Sequence, residues 1–328
     1  MPSWERYTWA LLNLLILLSS LFGDTMVLYG SIKHRAIRLH RITVALIQHL
    51  ALLDLVLALN RVLLMTVSLL ADTWLFGEGL CITQQYIDKV CYRVIYALTC
   101  ALTTTKLLTV KYPLKSGMWS QRKAQKLCLV VELVSVVLVS PFLYVYYSAG
   151  RSALFFSRLT YNCGIDADIT TSSLPPQLKL LLYNLLEVFL PACFYIIPFV
   201  TSVLLLHEAR RVAYTHRQHL RWEGVVTVLL TCIAYYISSL PHTFLLFFQD
   251  DNYLKVAEFL LNINVMINFW VYTLTVRSFR TFLVCWFSKG FRRFVLLFQR
   301  CRTFSSSREV IYENHPTGIE LHRLGLTQ

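Results

Sequence analysis

The sequence has 328 residues with a formal net charge of +13, and 56% of the residues are hydrophobic. A typical soluble domain has about 45–50% apolar residues even when glycine is included. The excess here is gathered into long blocks, which argues against a soluble domain and indicates a polytopic membrane protein. A basic charge of this size would also suit a nucleic-acid-binding protein. However, the Lys and Arg residues lie in only some of the loops between the blocks, so we expect no nucleic-acid partner.

The apolar blocks predict an all-α fold, a bundle of seven membrane-spanning helices that we number as spans one to seven. Each block reaches the roughly 20 residues that a helix needs to cross the hydrocarbon core. The predicted bounds are 9–32, 42–70, 82–109, 127–147, 178–206, 225–248 and 256–276. Residues 1–8 are short, carry Glu5 and Arg6 and lead directly into span one, so we expect no cleavable signal peptide.

The charge pattern of the loops predicts the topology. The loops after spans one, three, five and seven are basic, whereas those after spans two, four and six are acidic or mixed. Lys and Arg resist translocation and stay on the cytosolic side. We therefore expect a multi-pass membrane protein with a short N-terminus, residues 1–8, on the extracellular side and a cytoplasmic C-terminus.

Span three places a cysteine and a basic residue at opposite faces of the membrane. Cys81 and Lys106 are 25 residues apart, which corresponds to about 37 Å along a helix. That distance crosses a hydrocarbon core of roughly 30 Å and reaches both head-group layers. We call the end of the bundle at Cys81 the outer end and the end at Lys106 the inner end.

A second amphipathic stretch, residues 277–302, follows span seven. Aromatic and aliphatic residues recur there at helical spacing with basic residues between them, a pattern typical of a helix lying on the inner leaflet against anionic lipid. Cys285 and Cys301 are candidates for palmitoylation on such a helix. Residues 303–328 are polar, and we expect a disordered cytoplasmic tail.

Four motifs resemble those of the rhodopsin-like G-protein-coupled receptors. Trp74, Phe76, Gly77 and Cys81 resemble the family's entry to helix three, and Leu50 to Asp54 resembles the Leu-Ala-x-x-Asp signature of helix two. The segment from Asn268 to Tyr272 is similar to Asn-Pro-x-x-Tyr without its proline, and Pro241 matches the proline of helix six. The resemblance covers about residues 8–290 and suggests a divergent member of the family.

The resemblance implies how such a protein works. A ligand, either a small molecule or a peptide, would bind from outside and shift helix six outward. This movement would open an inner surface to a heterotrimeric G protein, with arrestin and receptor kinases as further partners. Lys106, Pro241 and Tyr272 stand at the positions that the family uses for coupling and switching. Cys163 resembles the cysteine that forms a disulfide bond with Cys81.

The family also places a sodium ion or a proton between helices two and seven. Asp54, Asn264 and Asn268 match that cluster, and Asp24 stands where the family usually has asparagine. Two carboxylates close together in a low-dielectric interior favour a bound proton on one of them. A proton and a sodium ion therefore both remain open here, and we expect no other cofactor.

Departures from the family pattern affect the coupling residues. Thr105-Lys106-Leu107 stands in place of Asp-Arg-Tyr, and lysine lacks the planar fork of arginine. Ser238 and Ser239 stand where helix six commonly has Cys-Trp. These changes leave a non-coupling or chemosensory receptor of the same fold as the main alternative.

The candidate ligand pocket contains both acidic and basic residues. Asp88 lies two turns into span three, and Arg61, Glu187, His242 and Glu258 should face the same outer cavity. An acidic cavity suits a cationic ligand. The alternative, which we favour, is that Arg61 pairs internally with Asp88 or Glu258.

Two other classes of protein fit less well. A secondary transporter usually shows paired halves with interrupted helices, and this sequence has no such repeat. We expect no enzymatic activity, because no nucleophile–base set or metal-ligand spacing appears.

Overall fold

The computed structural model describes residues 3–33, 40–112, 121–149, 154–157, 162–165, 189–216, 222–244 and 251–288. Residues 1–280 form one compact unit, and residue 281 begins a second one.

Seven helices are long and apolar enough to cross a membrane, which confirms the predicted seven-helix bundle. Span one is Ser3–Ile32, and span two consists of Arg41–Leu57, the π-helical turn Ala58–Val62 and Leu63–Ala71. Spans three to seven are Gly77–Lys111, Gln121–Ala149, Leu190–His216, Trp222–Phe244 and Asp251–Thr275. A further helix covers residues 277–288.

A short hairpin lies between spans four and five. Strands β1 (Leu154–Ser157) and β2 (Asn162–Ile165) pair antiparallel, with Phe156 opposite Cys163. β2 lies beside span three. This hairpin was not predicted from the sequence.

Span one begins at Ser3, earlier than the predicted start at residue 9. Two ion pairs hold its first turns: Arg6 Nη1 lies 2.7 Å from Asp72 Oδ2, and Lys255 Nζ lies 3.2 Å from Glu5 Oε1. Asp72 directly follows span two, and Lys255 lies in the first turns of span seven. The helix therefore continues past the apolar block because its charged first turns have partners on neighbouring elements.

The π-helical turn Ala58–Val62 interrupts span two. Such a turn inserts one extra residue into a helical turn and often occurs at functional sites. Here it carries Asn60 and Arg61, so it sets the direction in which these two polar side chains leave the helix.

Apolar side chains fill the centre of the bundle between the spans. Leu46, Leu50, Leu98, Leu102 and Val228 are almost fully buried in one continuous core. The outward faces are also apolar, as expected where lipid rather than water surrounds the helices. The exposed residues of spans four and five include Leu129, Leu133, Val137, Phe199 and Val203.

Spans one and seven approach most closely at Gly23. A Cβ atom added at Gly23 would lie 2.7 Å from Cβ of Phe269, far inside normal contact distance. Because the Cβ of Phe269 is fixed by the backbone, rotation of its ring cannot relieve this overlap. Glycine at position 23 is therefore required by packing.

We expect Gly23→Val to lower the stability of the protein by about 1–3 kcal/mol, the usual cost of overpacking a close interface. Thermal unfolding of the detergent-solubilised protein measures this as a lower apparent midpoint. Gly79→Val is the matched control, because nothing lies within 4 Å of a Cβ atom at that position. Equal midpoints for the two variants would show that spans one and seven can move apart without cost.

Candidate functional site

Arg61 is the centre of a buried polar cluster in the outer half of the bundle. Its Nη1 donates to Asp88 Oδ2 at 3.0 Å, its Nη2 donates to Glu258 Oε2, and its Nε donates to Asn262 Oδ1 at 2.9 Å. The Arg61 Cζ atom also lies 5.7 Å from the centre of the Tyr92 ring. One side chain of span two thus binds spans three and seven.

Amide side chains extend this outer cluster. Asn60 Nδ2 donates to Asp88 Oδ1 at 2.8 Å and to the Gln84 carbonyl oxygen at 3.1 Å. Asn262 Nδ2 donates to Asn13 Oδ1 at 2.9 Å, which brings in span one. Both carboxylate oxygens of Asp88 therefore accept a hydrogen bond from span two, one from Asn60 and one from Arg61.

The outer cluster is nearly dry except at His242. The side chains of Arg61, Asp88 and Glu258 are 7%, 5% and 11% exposed, whereas that of His242 is 41% exposed. His242 Nε2 lies 3.6 Å from Glu258 Oε1, which connects span six to the cluster. The guanidinium of Arg61 thus faces two carboxyl groups, those of Asp88 and Glu258.

The structure brings Arg61, Asp88, Glu258 and His242 together, as the sequence suggested. The internal pairing is more extensive than expected, because Arg61 contacts both carboxylates rather than one. Glu187 lies outside the described residues. Asn13, Asn60 and Asn262 were missed; the available signal was an asparagine inside an apolar span, which needs a partner in a membrane.

A second polar cluster lies deeper in the bundle, between spans one, two, six and seven. Ser20 Oγ donates to Asp24 Oδ2 at 2.6 Å, and Asn268 Nδ2 donates to Asp54 Oδ2 at 2.8 Å. Ser238 Oγ donates to Asn264 Oδ1 at 2.9 Å. We call the four residues Asp24, Asp54, Asn264 and Asn268 the inner cluster.

The inner cluster has unused polar atoms. Among the described residues, Asp24 Oδ1, Asp54 Oδ1 and Asn264 Nδ2 are buried and have no hydrogen-bond partner. Asp24 and Asp54 are fully buried and close enough for their charges to interact. Carboxylate oxygens are suitable ligands for a hard cation such as sodium, so the residues present fit that ion.

Tyrosine side chains fill the space between spans three, five and six. Tyr195 stacks on Tyr235 with ring centres 5.5 Å apart, and Tyr96 meets Tyr235 edge-on at 5.1 Å. Tyr236 donates its hydroxyl to the Tyr195 carbonyl oxygen, and the Tyr195 hydroxyl lies 2.6 Å from Thr243 Oγ1. This tyrosine cluster lies one turn from Ser239, where the family usually has tryptophan.

The inner end of the bundle contains the predicted coupling residues. Lys106 is half-buried, and Tyr272 is fully buried. Burial lowers the pKa of His40, which precedes span two, and the nearby positive charges of Lys106 and Arg41 lower this pKa further. Lys106 therefore lies close to His40.

Three predicted cysteine roles have different outcomes. Cys81 is in a disulfide bond, and the strand that contains Cys163 lies beside span three. The pairing of Cys81 with Cys163 remains a prediction, because the side chain of Cys163 is not described. Cys285 is a free, exposed thiol on helix 277–288, whereas Cys301 lies outside the described residues.

An unpredicted pair joins spans two and four. His49 Nδ1 lies 2.7 Å from Glu132 Oε1, and the two side chains are 23% and 28% exposed. Glu132 is an acidic residue within an otherwise apolar part of span four, and such residues need a partner in a membrane. The pair therefore fixes span four against span two.

Comparisons with known proteins agree with this geometry. The family model described as 7 transmembrane receptor (rhodopsin family) matches residues 23–278. The chain is 25% identical to the substance-K receptor of Homo sapiens, with 97% of this chain and 79% of the relative covered. It is 24% identical to the substance-K receptor of Canis lupus familiaris, with 94% and 80% covered.

We expect a double-mutant cycle with His49→Leu and Glu132→Leu to give a coupling energy of about 0.5–3 kcal/mol, the range for residues in direct contact. Apparent melting midpoints of the single and double variants provide the measurement. The pair Glu208 and Arg211, 3.9 Å apart with an Arg211 side chain that is 70% exposed, is the control and should couple by less than about 0.5 kcal/mol. Additive effects at His49 and Glu132 would show that the pair does not hold the spans together.

Proposed function

Because the chain belongs to the rhodopsin family of seven-transmembrane receptors and is a G-protein-coupled receptor, we propose that it acts at the plasma membrane. Its N-terminus is extracellular and its C-terminus cytoplasmic, as the charges of its loops require. It transmits binding of an extracellular ligand to a heterotrimeric G protein and has no enzymatic step of its own.

The ligand is a peptide or a small molecule that enters the outer end of the bundle. The similarity of this chain to substance-K receptors is an argument for a peptide. The single observation that supports the proposal best is the outer cluster, which joins spans one, two, three and seven and contacts span six through His242. A ligand that contacts His242 can therefore change how span six is held.

Span six is the element that moves. It contains Pro241 within its helix, and a proline removes one backbone hydrogen bond and kinks the helix. Its contact with the outer cluster, the 3.6 Å approach of His242 to Glu258, is longer than the bonds that Arg61 makes. Movement at this proline would displace Tyr235 and open the inner end beside Lys106 and Tyr272.

The inner cluster binds a proton or a sodium ion and stabilises the resting receptor. Its two buried carboxylates have unused oxygens and need a compensating cation. Asn264 connects the cluster to Ser238 of span six, so loss of the cation and movement of span six are coupled.

Helix 277–288 lies on the inner leaflet, with Cys285 as the acceptor of a lipid chain and Cys301 as a second one. Arrestin and receptor kinases bind the active form at the inner end. The second candidate function is a receptor of this fold that does not activate G proteins. Lys106 in place of arginine favours it, because lysine offers a point charge rather than a planar fork.

We expect membranes that contain this receptor to catalyse basal nucleotide exchange on at least one heterotrimeric G protein. Lys106→Ala should abolish the activity because the positive charge at the inner end is lost, whereas Lys106→Arg should retain or increase it. Exchange is measured on a panel of purified G proteins, with surface expression of each variant as the control. Exchange that appears only with Lys106→Arg would favour the non-coupling receptor.

We expect the apparent melting midpoint of the receptor to rise when choline chloride is replaced by sodium chloride, or when the pH is lowered at constant salt. Either change supplies the cation that the two carboxylates lack. Asp24→Asn removes one of these charges, so it should raise the midpoint in sodium-free buffer and weaken both responses. Ser20→Ala is the control that keeps both carboxylates. A midpoint indifferent to sodium and pH in all three proteins would contradict the proposed site.

A further inference from the structure

We infer that Arg61 fills a guanidinium-binding site formed by Asp88, Glu258, Asn262 and Tyr92, and that it thereby keeps a cationic ligand away from these residues. The inference rests on and deepens the proposed function, because it states which class of ligand group this site rejects. It concerns a single side chain that acts as a built-in occupant of a binding site.

The first support is the match between donors and acceptors. Each of the three guanidinium nitrogens of Arg61 donates to a different acceptor, with distances of 2.9 Å to Asn262 and 3.0 Å to Asp88 and a close contact to Glu258. Guanidinium groups are planar and present their donors in a fixed fork. The acceptors come from two spans, so the fork holds those spans in one relative position.

The second support is the aromatic wall. The Tyr92 ring lies 5.7 Å from Arg61 Cζ, within the range of a cation–π interaction. Carboxylates together with an aromatic face are the features with which proteins bind organic cations. The residues around the Arg61 head group thus form a cation-binding site. The cation that occupies it is the guanidinium of Arg61 itself.

The third support is that a ligand could reach the two carboxylates only by displacing Arg61. A ligand cation would have to displace a covalently tethered guanidinium, whose effective concentration at the site is very high. Displacement would also leave the Arg61 charge without its partners in a low-dielectric interior, which is costly. His242 is much more exposed than Arg61, Asp88 or Glu258. The ligand is therefore recognised at His242, and not by the carboxylates of Asp88 and Glu258.

The test is chemical rescue of Arg61→Ala in full-length receptor reconstituted into lipid. This variant should melt at a lower temperature than the native protein because two buried carboxylates lose their cation. Millimolar methylguanidinium should restore more than half of the lost midpoint, since it supplies the same head group without the tether. It should leave the native midpoint unchanged, because the site is already filled.

Two controls make the result specific. Urea has the planar shape of guanidinium without the charge, so it should give no rescue. In Arg61→Ala/Glu258→Gln, one carboxylate is neutral and the rescue should be at least halved. If Arg61→Ala does not reach the membrane, Arg61→Ser, which also leaves the space of the head group empty, replaces it in the same assay with the same expected rescue.

The inference would be overturned if urea and methylguanidinium had equal effects. It would also be overturned if methylguanidinium failed to rescue a folded single variant of Arg61. A native midpoint that rises with methylguanidinium would also overturn it, because the site would then be open. The assay needs no G protein. Failure of nucleotide exchange therefore leaves this inference intact, and failure of rescue leaves the proposed receptor function intact.

Discussion

The outer half of this bundle depends on the burial of one positive charge. The guanidinium of Arg61 lies among helices where water is excluded, and a charge in such a medium is stable only when its partners are close and well aligned. This requirement fixes the relative positions of Asp88, Glu258 and Asn262. The π-helical turn Ala58–Val62 makes the arrangement possible, since it sets the direction in which Arg61 leaves span two.

The same constraint distinguishes span six from its neighbours. Spans two, three and seven are joined by short charged hydrogen bonds. Span one is joined to them by the hydrogen bond from the side-chain amide of Asn262 to Asn13. Among the described residues, span six contacts the outer cluster through His242, at 3.6 Å, and the inner cluster through the neutral hydrogen bond from Ser238 to Asn264. Charge-assisted bonds are about twice as strong as neutral ones. The polar contacts of span six with the two clusters are therefore weaker than those that join spans two, three and seven.

The sequence was sufficient for the fold and for part of the site. Apolar blocks and alternating loop charges predict seven spans because the membrane imposes length and polarity directly. The meeting of Arg61 with Asp88 and Glu258 follows from the cost of unpaired charges in a bilayer. The π-helical turn and the His49–Glu132 pair could not be predicted, because both depend on the rotation of a helix about its axis. Hydrophobicity does not determine that rotation when every face of a span is apolar.

The departures of span six from the family pattern are also connected by physics. Ser239 donates to the Tyr235 carbonyl oxygen at 2.6 Å, so its hydroxyl is used within the helix and fills little space. Tyr195, Tyr96 and Tyr235 supply the aromatic volume instead, from three spans rather than from one tryptophan. The proposed movement of span six would therefore have to separate Tyr235 from Tyr195 and Tyr96 as well as exchange hydrogen bonds. The proposed activation would thus involve spans three and five together with span six.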